Sequence, residues 1–159
     1  MADISIDPTA VRRVGLGVIV RGTIGEIVTA GMAGHLDVTD QSYKRSSASA
    51  DAAAVRKVSG VFLNGGAAGQ PCAVLTEGEI EIGATLVVGA VYALSASAGR
   101  ICPVADLAGA TSVCVLGTAI SASRLRLEVV SMTVAGDPLP PVVSTRRPSG
   151  LLLTITRAA

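Results

Sequence analysis

Short apolar runs cut by glycine dominate this 159-residue chain, and the clearest of them alternate strictly with polar residues. In Glu79-Ile80-Glu81-Ile82 a period of two puts both isoleucines on one face and both acids on the other. From Arg124 to Val129 the same period sets Leu125, Leu127 and Val129 against Arg124, Arg126 and Glu128. Such alternation predicts half-buried strands. Val58-Ser59-Gly60-Val61-Phe62-Leu63-Asn64 and Val115-Leu116-Gly117-Thr118-Ala119-Ile120-Ser121 read as strands with a glycine in third place and an amide or hydroxyl at the end. Cys72–Thr76, Leu86–Ser95, Arg100–Val104 and Ser112–Ile120 read as further strands, and glycine-containing turn signals separate them. Hairpins are expected through Glu77-Gly78 and across Ser121-Ala122-Ser123. Upstream, Val14–Val20 and Thr23–Val28 flank a turn at Arg21-Gly22, and the glycines inside these runs predict bulges or close backbone contacts. The pattern as a whole predicts an all-β protein, a compact antiparallel β-sandwich or barrel with extended N- and C-terminal arms.

The boundaries follow from the same pattern. Residues 1–13 form an N-terminal arm in which Ile4 and Ile6 alternate with Asp3, Ser5 and Asp7 until Pro8 ends the run. Residues 14–135 form the β domain. Within it, 36–57 reads as an exposed loop, because Asp40 to Ala50 is polar and small, with Asp51 placed to cap a helical turn over Ala52–Val55. Residues 136–159 form a second arm. Gly136-Asp137-Pro138-Leu139-Pro140-Pro141 is a stiff, extended spacer, and Leu151-Leu152-Leu153-Thr154-Ile155-Thr156-Arg157 is an apolar strand. Left unpaired, that strand is an aggregation hazard, so it is expected to tuck into the fold or join another subunit's sheet.

Composition narrows the function. Half the residues are hydrophobic, yet Phe62, Tyr43 and Tyr92 are the only aromatics, so the core is built from aliphatic side chains. With 18 glycines as well, burial per residue is low, and association with further copies is the usual remedy. A net charge of +1 removes any strong electrostatic case for nucleic acid. Arg12-Arg13, Lys44-Arg45 and Arg146-Arg147 read as solvated loop charges. Cys72, Cys102 and Cys114 lie in apolar runs and read as buried free thiols, which suits a reducing cytoplasm. Met1–Pro8 lacks the pattern of a secretory leader. The uncharged stretch Ile82–Gly99 holds three glycines and favours strand over a membrane-spanning helix.

No residue stands out for chemistry. His35 is the single histidine, with no nucleophile elbow to serve, and reads as a turn or interface residue. Glu77, Glu79 and Glu81 share one strand face and read as solvated. Gly15-Leu16-Gly17 and Asn64-Gly65-Gly66 lack the following helix or Lys-Ser/Thr pair of a phosphate-binding loop. No catalytic, cofactor-binding or metal-ligating residue is therefore expected.

The wording of the central stretch, made of turn glycines and strand ends, carries a resemblance. Val58–Asn64, followed by Ala67-Ala68-Gly69-Gln70-Pro71-Cys72-Ala73-Val74-Leu75-Thr76-Glu77-Gly78, then Ile82-Gly83-Ala84-Thr85-Leu86, Gly89–Ser95 and Val115–Ala119, resembles a phrase of capsid decoration (cement) and head-fibre proteins of tailed bacteriophages. The resemblance spans residues 55–130 and does not reach the 136–159 tail. It implies a β-rich virion protein, made in the bacterial cytoplasm and carried on the head surface as a homo-oligomer, typically a trimer. Its partner would be the major capsid protein, whose adjacent subunits it would bridge, with no membrane and no direct nucleic-acid contact. On this reading the two arms and the 36–57 loop supply the interface: Ile4 and Ile6, then Tyr43, Lys44 and Arg45, then Leu151, Leu153 and Ile155. The alternative within the same class is the base or shaft of a head or tail fibre. A carbohydrate-binding module or small hydrolase is the alternative of another class, and the lack of Trp counts against sugar stacking.

Overall fold

The computed structural model describes residues 2–107 and 112–133. They form an all-β protein of nine strands: β1 (Arg12–Ile24), β2 (Ala33–Asp37), β3 (Ser42–Arg45), β4 (Gly60–Phe62), β5 (Pro71–Glu81), β6 (Val91–Leu94), β7 (Ile101–Pro103), β8 (Ser112–Ala119) and β9 (Arg124–Thr133). The hydrogen-bonded order is β1-β3-β2-β4-β5-β9-β8-β6-β7, and β1 also pairs with β5. That extra pairing closes β1, β3, β2, β4 and β5 into a ring, from which β9, β8, β6 and β7 continue as a sheet. Every pairing between these strands is antiparallel except the short parallel contact of β1 with β3, at Thr23–Ser42 and Ile24–Tyr43.

Strand β5 is the shared wall. Its first half pairs with β4 on one side, and its second half pairs with β9 on that same side, while β1 runs along the other edge throughout. Successive side chains of a strand point to opposite faces, so β4 and β5 feed two cores. Val61 and Leu75 turn to the larger one, with Ile80, Ile82, Leu94, Ile101, Leu116 and Leu125. Phe62 and Val74 turn to the smaller one, with Ile24, Val28 and Cys72. There Tyr43 meets Phe62 edge to face, with ring centroids 6.5 Å apart and planes at 82°, an arrangement favoured by the ring quadrupoles. The larger core is aliphatic apart from Tyr92, in line with the composition. The three cysteines are buried free thiols in β5, β7 and β8.

Several local expectations hold. Ile80 and Ile82 are fully buried, as are Leu125 and Leu127 to within 2%. The β8–β9 hairpin turns across Ser121-Ala122-Ser123. Others are corrected. Glu77-Gly78 is no hairpin, because β5 runs straight through it, and Arg21-Gly22 is no turn, because β1 is one strand of 13 residues. Gly22 packs against the Tyr43 ring, and Gly78 serves a long-range contact with Gly17. Gly17 and Gly78 face each other across β1 and β5 beside a register shift. A Cβ on Gly17 would lie 2.7 Å from the Glu77 carbonyl oxygen, and one on Gly78 would lie 2.7 Å from the Gly17 Cα. The backbones touch where side chains would hold them apart.

The 36–57 segment is also more ordered than its composition predicts. It contains β3 and the buried residues Ser42, Tyr43, Ser46, Ala48 and Arg56, and its last part makes turns in place of the expected helical turn. Side-chain hydrogen bonds supply what hydrophobicity does not. The Ser42 N–H and hydroxyl donate to Asp40 Oδ1 at 3.0 and 2.6 Å, and an Arg56 Nη1–H donates to the Ala50 and Asp51 carbonyls at 2.9 and 3.0 Å.

The N-terminal arm is extended and lies along its own domain. Ile4 N–H donates to the Ile101 carbonyl of β7 at 2.9 Å, and Asp7 N–H donates to Gly83 O at 2.7 Å. Ile4 and Ile6 pack against the larger core. Among the described residues no helix is long and apolar enough to cross a membrane, and the uncharged stretch 82–99 holds β6 and turns.

Candidate functional site

Two regions warrant construction from their residues upward: the charged hairpin of β2 and β3, and the outer face and edge of β1.

On the hairpin, His35 stands opposite Lys44, and Gly34 opposite Arg45. Lys44 Nζ reaches Asp37 Oδ2 and Asp40 Oδ2, each at 2.7 Å. Arg45 binds Glu26 twice, with Nη2 to Oε2 at 2.9 Å and its backbone N–H donating to Oε1 at 2.6 Å. The hydrogen bonds from Lys44 and Thr39 hold Asp37 down to about 2. Burial pushes Glu26 up, but the Arg45 guanidinium and N–H outweigh it and hold the carboxyl below its ordinary value. These charges neutralise one another within the chain.

His35 is buried, and burial pushes its imidazole below the ordinary value of 6.5 against the pull of the Asp37 and Glu26 carboxylates. Its Nδ1 lies 3.3 Å from Ser46 Oγ, and that hydroxyl donates its one proton to the Lys57 carbonyl at 2.6 Å. A serine whose proton points at a backbone carbonyl is not set up as a nucleophile for this histidine.

A pH dependence follows. In the unfolded chain His35 takes a proton near pH 6.5, whereas the folded imidazole resists it, so protons favour the unfolded state in that window. Stability is expected to fall as pH drops from 6.5 through the lower folded value and then level off. His35→Gln should flatten this step in urea unfolding measured from pH 7.5 to 5. Below about pH 4.5 the lowered carboxyls of Glu26 and Asp37 add their own loss in both proteins.

The second region has no such self-sufficiency. Strand β1 pairs with β5 along one edge. Along the other it meets only β3, at Thr23 and Ile24, so from Arg12 to Gly22 that edge has no strand partner among the described residues. The bulge beside Gly17 throws Leu16 outward, where it is 94% exposed, and Val18 and Val20 follow it on the same row at 50% and 38%. Leu16 and Val18 border a shallow groove of about 540 Å³ whose other wall is the outer face of β5 and β9. In that wall Glu77 stands opposite Glu128, and Glu79 opposite Arg126. Lower down, Arg12 Nε binds Glu81 Oε2 at 2.6 Å. Arg12, Arg13 and Arg21 bracket an uncharged run from Val14 to Val20.

The residues singled out from the sequence are thus dispersed. Ile4 and Ile6 cover their own core, Tyr43 is 5% exposed, and Lys44 and Arg45 are held in ion pairs. Each of these side chains has a partner within the chain, and Lys44 and Arg45 remain partly exposed. Leu151, Leu153 and Ile155 lie outside the described residues. Glu77, Glu79 and Glu81 line the outer face of β5 as expected. Leu16, Val18 and Val20 do not stand out in the sequence: in Val14–Val20 both alternating rows are apolar or glycine, a pattern that equally suits a strand covered on both faces.

Among the described residues no three His, Cys, Asp or Glu side chains gather in a group able to hold a metal ion. No protein-family model matches this chain, and no curated protein matches it in sequence.

Proposed function

We propose that this chain is a structural virion protein, a decoration or cement protein that binds the outside of a tailed-phage head and braces adjacent capsid subunits. The observation that carries this reading is the exposed apolar row Leu16-Val18-Val20 on a strand edge with no partner among the described residues. Exposed, flat, apolar edges are normally covered or charged in proteins that act alone. A protein made for assembly keeps one for a neighbour, because backbone ladder bonds and apolar contact together give affinity from a short segment. The wording of residues 55–130 adds the resemblance to head decoration and head-fibre proteins. Bracing is additive on this reading: many modest interfaces act together across the shell.

The test is co-sedimentation of the purified protein with empty heads built from its cognate major capsid protein. The expected result is saturable binding at lattice stoichiometry and a raised temperature of head rupture. Absence of binding at micromolar protein, or occupancy confined to a few vertex or tail positions in cryo-EM maps, would overturn the decoration reading.

A further inference from the structure

We propose that the unpaired edge of β1 receives residues 151–157 of a second copy as an added strand, so that each copy donates one strand and accepts one. Three observations converge on this occupant. The first is the acceptor itself: from Arg12 to Gly22 the edge carries no ladder partner among the described residues, and its apolar row is exposed. The second is pattern. With a period of two, Leu151, Leu153, Ile155 and Arg157 fall on one row of the donor. The acceptor presents a matching row of three apolar residues, and Val18 sits beside Glu77, which faces Glu128. Two carboxylates opposite each other in a ladder repel, and an incoming guanidinium relieves them. Within 151–157 the one charged residue is Arg157, at the end of the apolar row.

The third observation is reach. Seventeen residues lie between Thr133, the end of β9, and Leu151, and an extended chain of that length spans up to about 60 Å. A domain of this size is on the order of 35–40 Å across. The spacer Pro138-Leu139-Pro140-Pro141 favours extension over reversal. The tail is thus long enough to reach a neighbouring copy. Donation and acceptance at different patches make a heterologous contact, which closes into a ring where the rotation allows.

Self-association is measured without heads, so this result stands or falls separately from the decoration reading. Two full-length variants test it by native mass and sedimentation. The edge variant carries Leu16→Lys and Val18→Lys, and the tail variant carries Leu153→Lys and Ile155→Lys. Wild type is expected to be a discrete oligomer at micromolar concentration. Each variant alone should be a monomer, with association weakened more than 100-fold. Mixed, they should form a one-to-one pair and no larger species, because the edge variant still donates and the tail variant still accepts. Amide exchange gives a second readout: the amides of residues 14–20 that do not bond β5 should be protected in wild type and exposed in the tail variant. Because Leu16 and Val18 are exposed, the edge variant should keep the wild-type far-UV spectrum. A monomeric wild type, variants that keep the wild-type mass, or a mixture that stays monomeric would each overturn the proposal.

Discussion

Gly117→Val is expected to destabilise the fold by about 3 kcal/mol or more, lowering Tm by on the order of 10 °C. Gly117 sits at the register shift of β8, paired with Leu127 of β9 on one side and Tyr92 of β6 on the other. The space a Cβ would fill is taken by the backbone carbonyl of Arg126, with Leu127 Cα only 3.2 Å away. A crowded side chain can change rotamer, but a backbone carbonyl held in a ladder cannot, so two strands must separate. Thr118→Val is the control. Thr118 is exposed on the same strand, and its change should stay within about 0.5 kcal/mol. Urea unfolding of both variants decides the matter. Equal midpoints for Gly117→Val and wild type would mean that β8 and β9 do not approach as described.

The same glycine shows where sequence reading succeeds and where it stops. Val115–Ser121 was legible as a strand because its apolar residues and flanking turn signals are local. The reason for its glycine was not legible, because the atom that excludes a side chain belongs to Arg126, on the partner strand. Gly78 and Gly22 show the same failure with a larger consequence. A glycine between polar residues reads as a turn, but Gly78 lies opposite Gly17, more than sixty positions away, and Gly22 lies against the Tyr43 ring. Two long strands were therefore read as hairpins. For the 36–57 segment, polarity read as exposure. The structure instead anchors the segment with a cross-strand ladder, Asp and Ser side-chain bonds, and Tyr43 inserted beside Phe62. Alternation at Ile80, Ile82, Leu125 and Leu127 gave the core face correctly, since a period of two needs no knowledge of the partner.

The candidate surface was half legible. The apolar alternation of the proposed donor, 151–157, could be read directly, because it is written in seven consecutive residues. Its acceptor could not, because an open edge is a property of pairing. Nothing in Val14–Val20 announces that β3 leaves β1 after two residues. Ile4, Tyr43, Lys44 and Arg45 have contacts within the chain that the sequence does not announce.

Two leucines on neighbouring strands should separate holding the fold from holding the assembly. Leu75 is fully buried in the larger core, pairs with Val61 and Ile19, and fills the space beneath Gly17, where an added Cβ would come within 3.0 Å of its Cδ1. Leu75→Ala removes that volume from a wall that β1, β4 and β5 hold rigid, so the site cannot collapse around the void. The expected cost is about 3 kcal/mol, the same in a monomer as in an oligomer. Leu16 lies on the other face of the same β1–β5 ladder and is 94% exposed. Leu16→Ala should leave the monomer within about 0.5 kcal/mol of wild type and weaken only self-association. Both changes belong in the tail variant, where assembly is already removed, and both are read by urea unfolding. If Leu16→Ala destabilised that monomer as much as Leu75→Ala, Leu16 would belong to a core of its own chain. The edge of β1 would then have no vacancy for a second copy to fill.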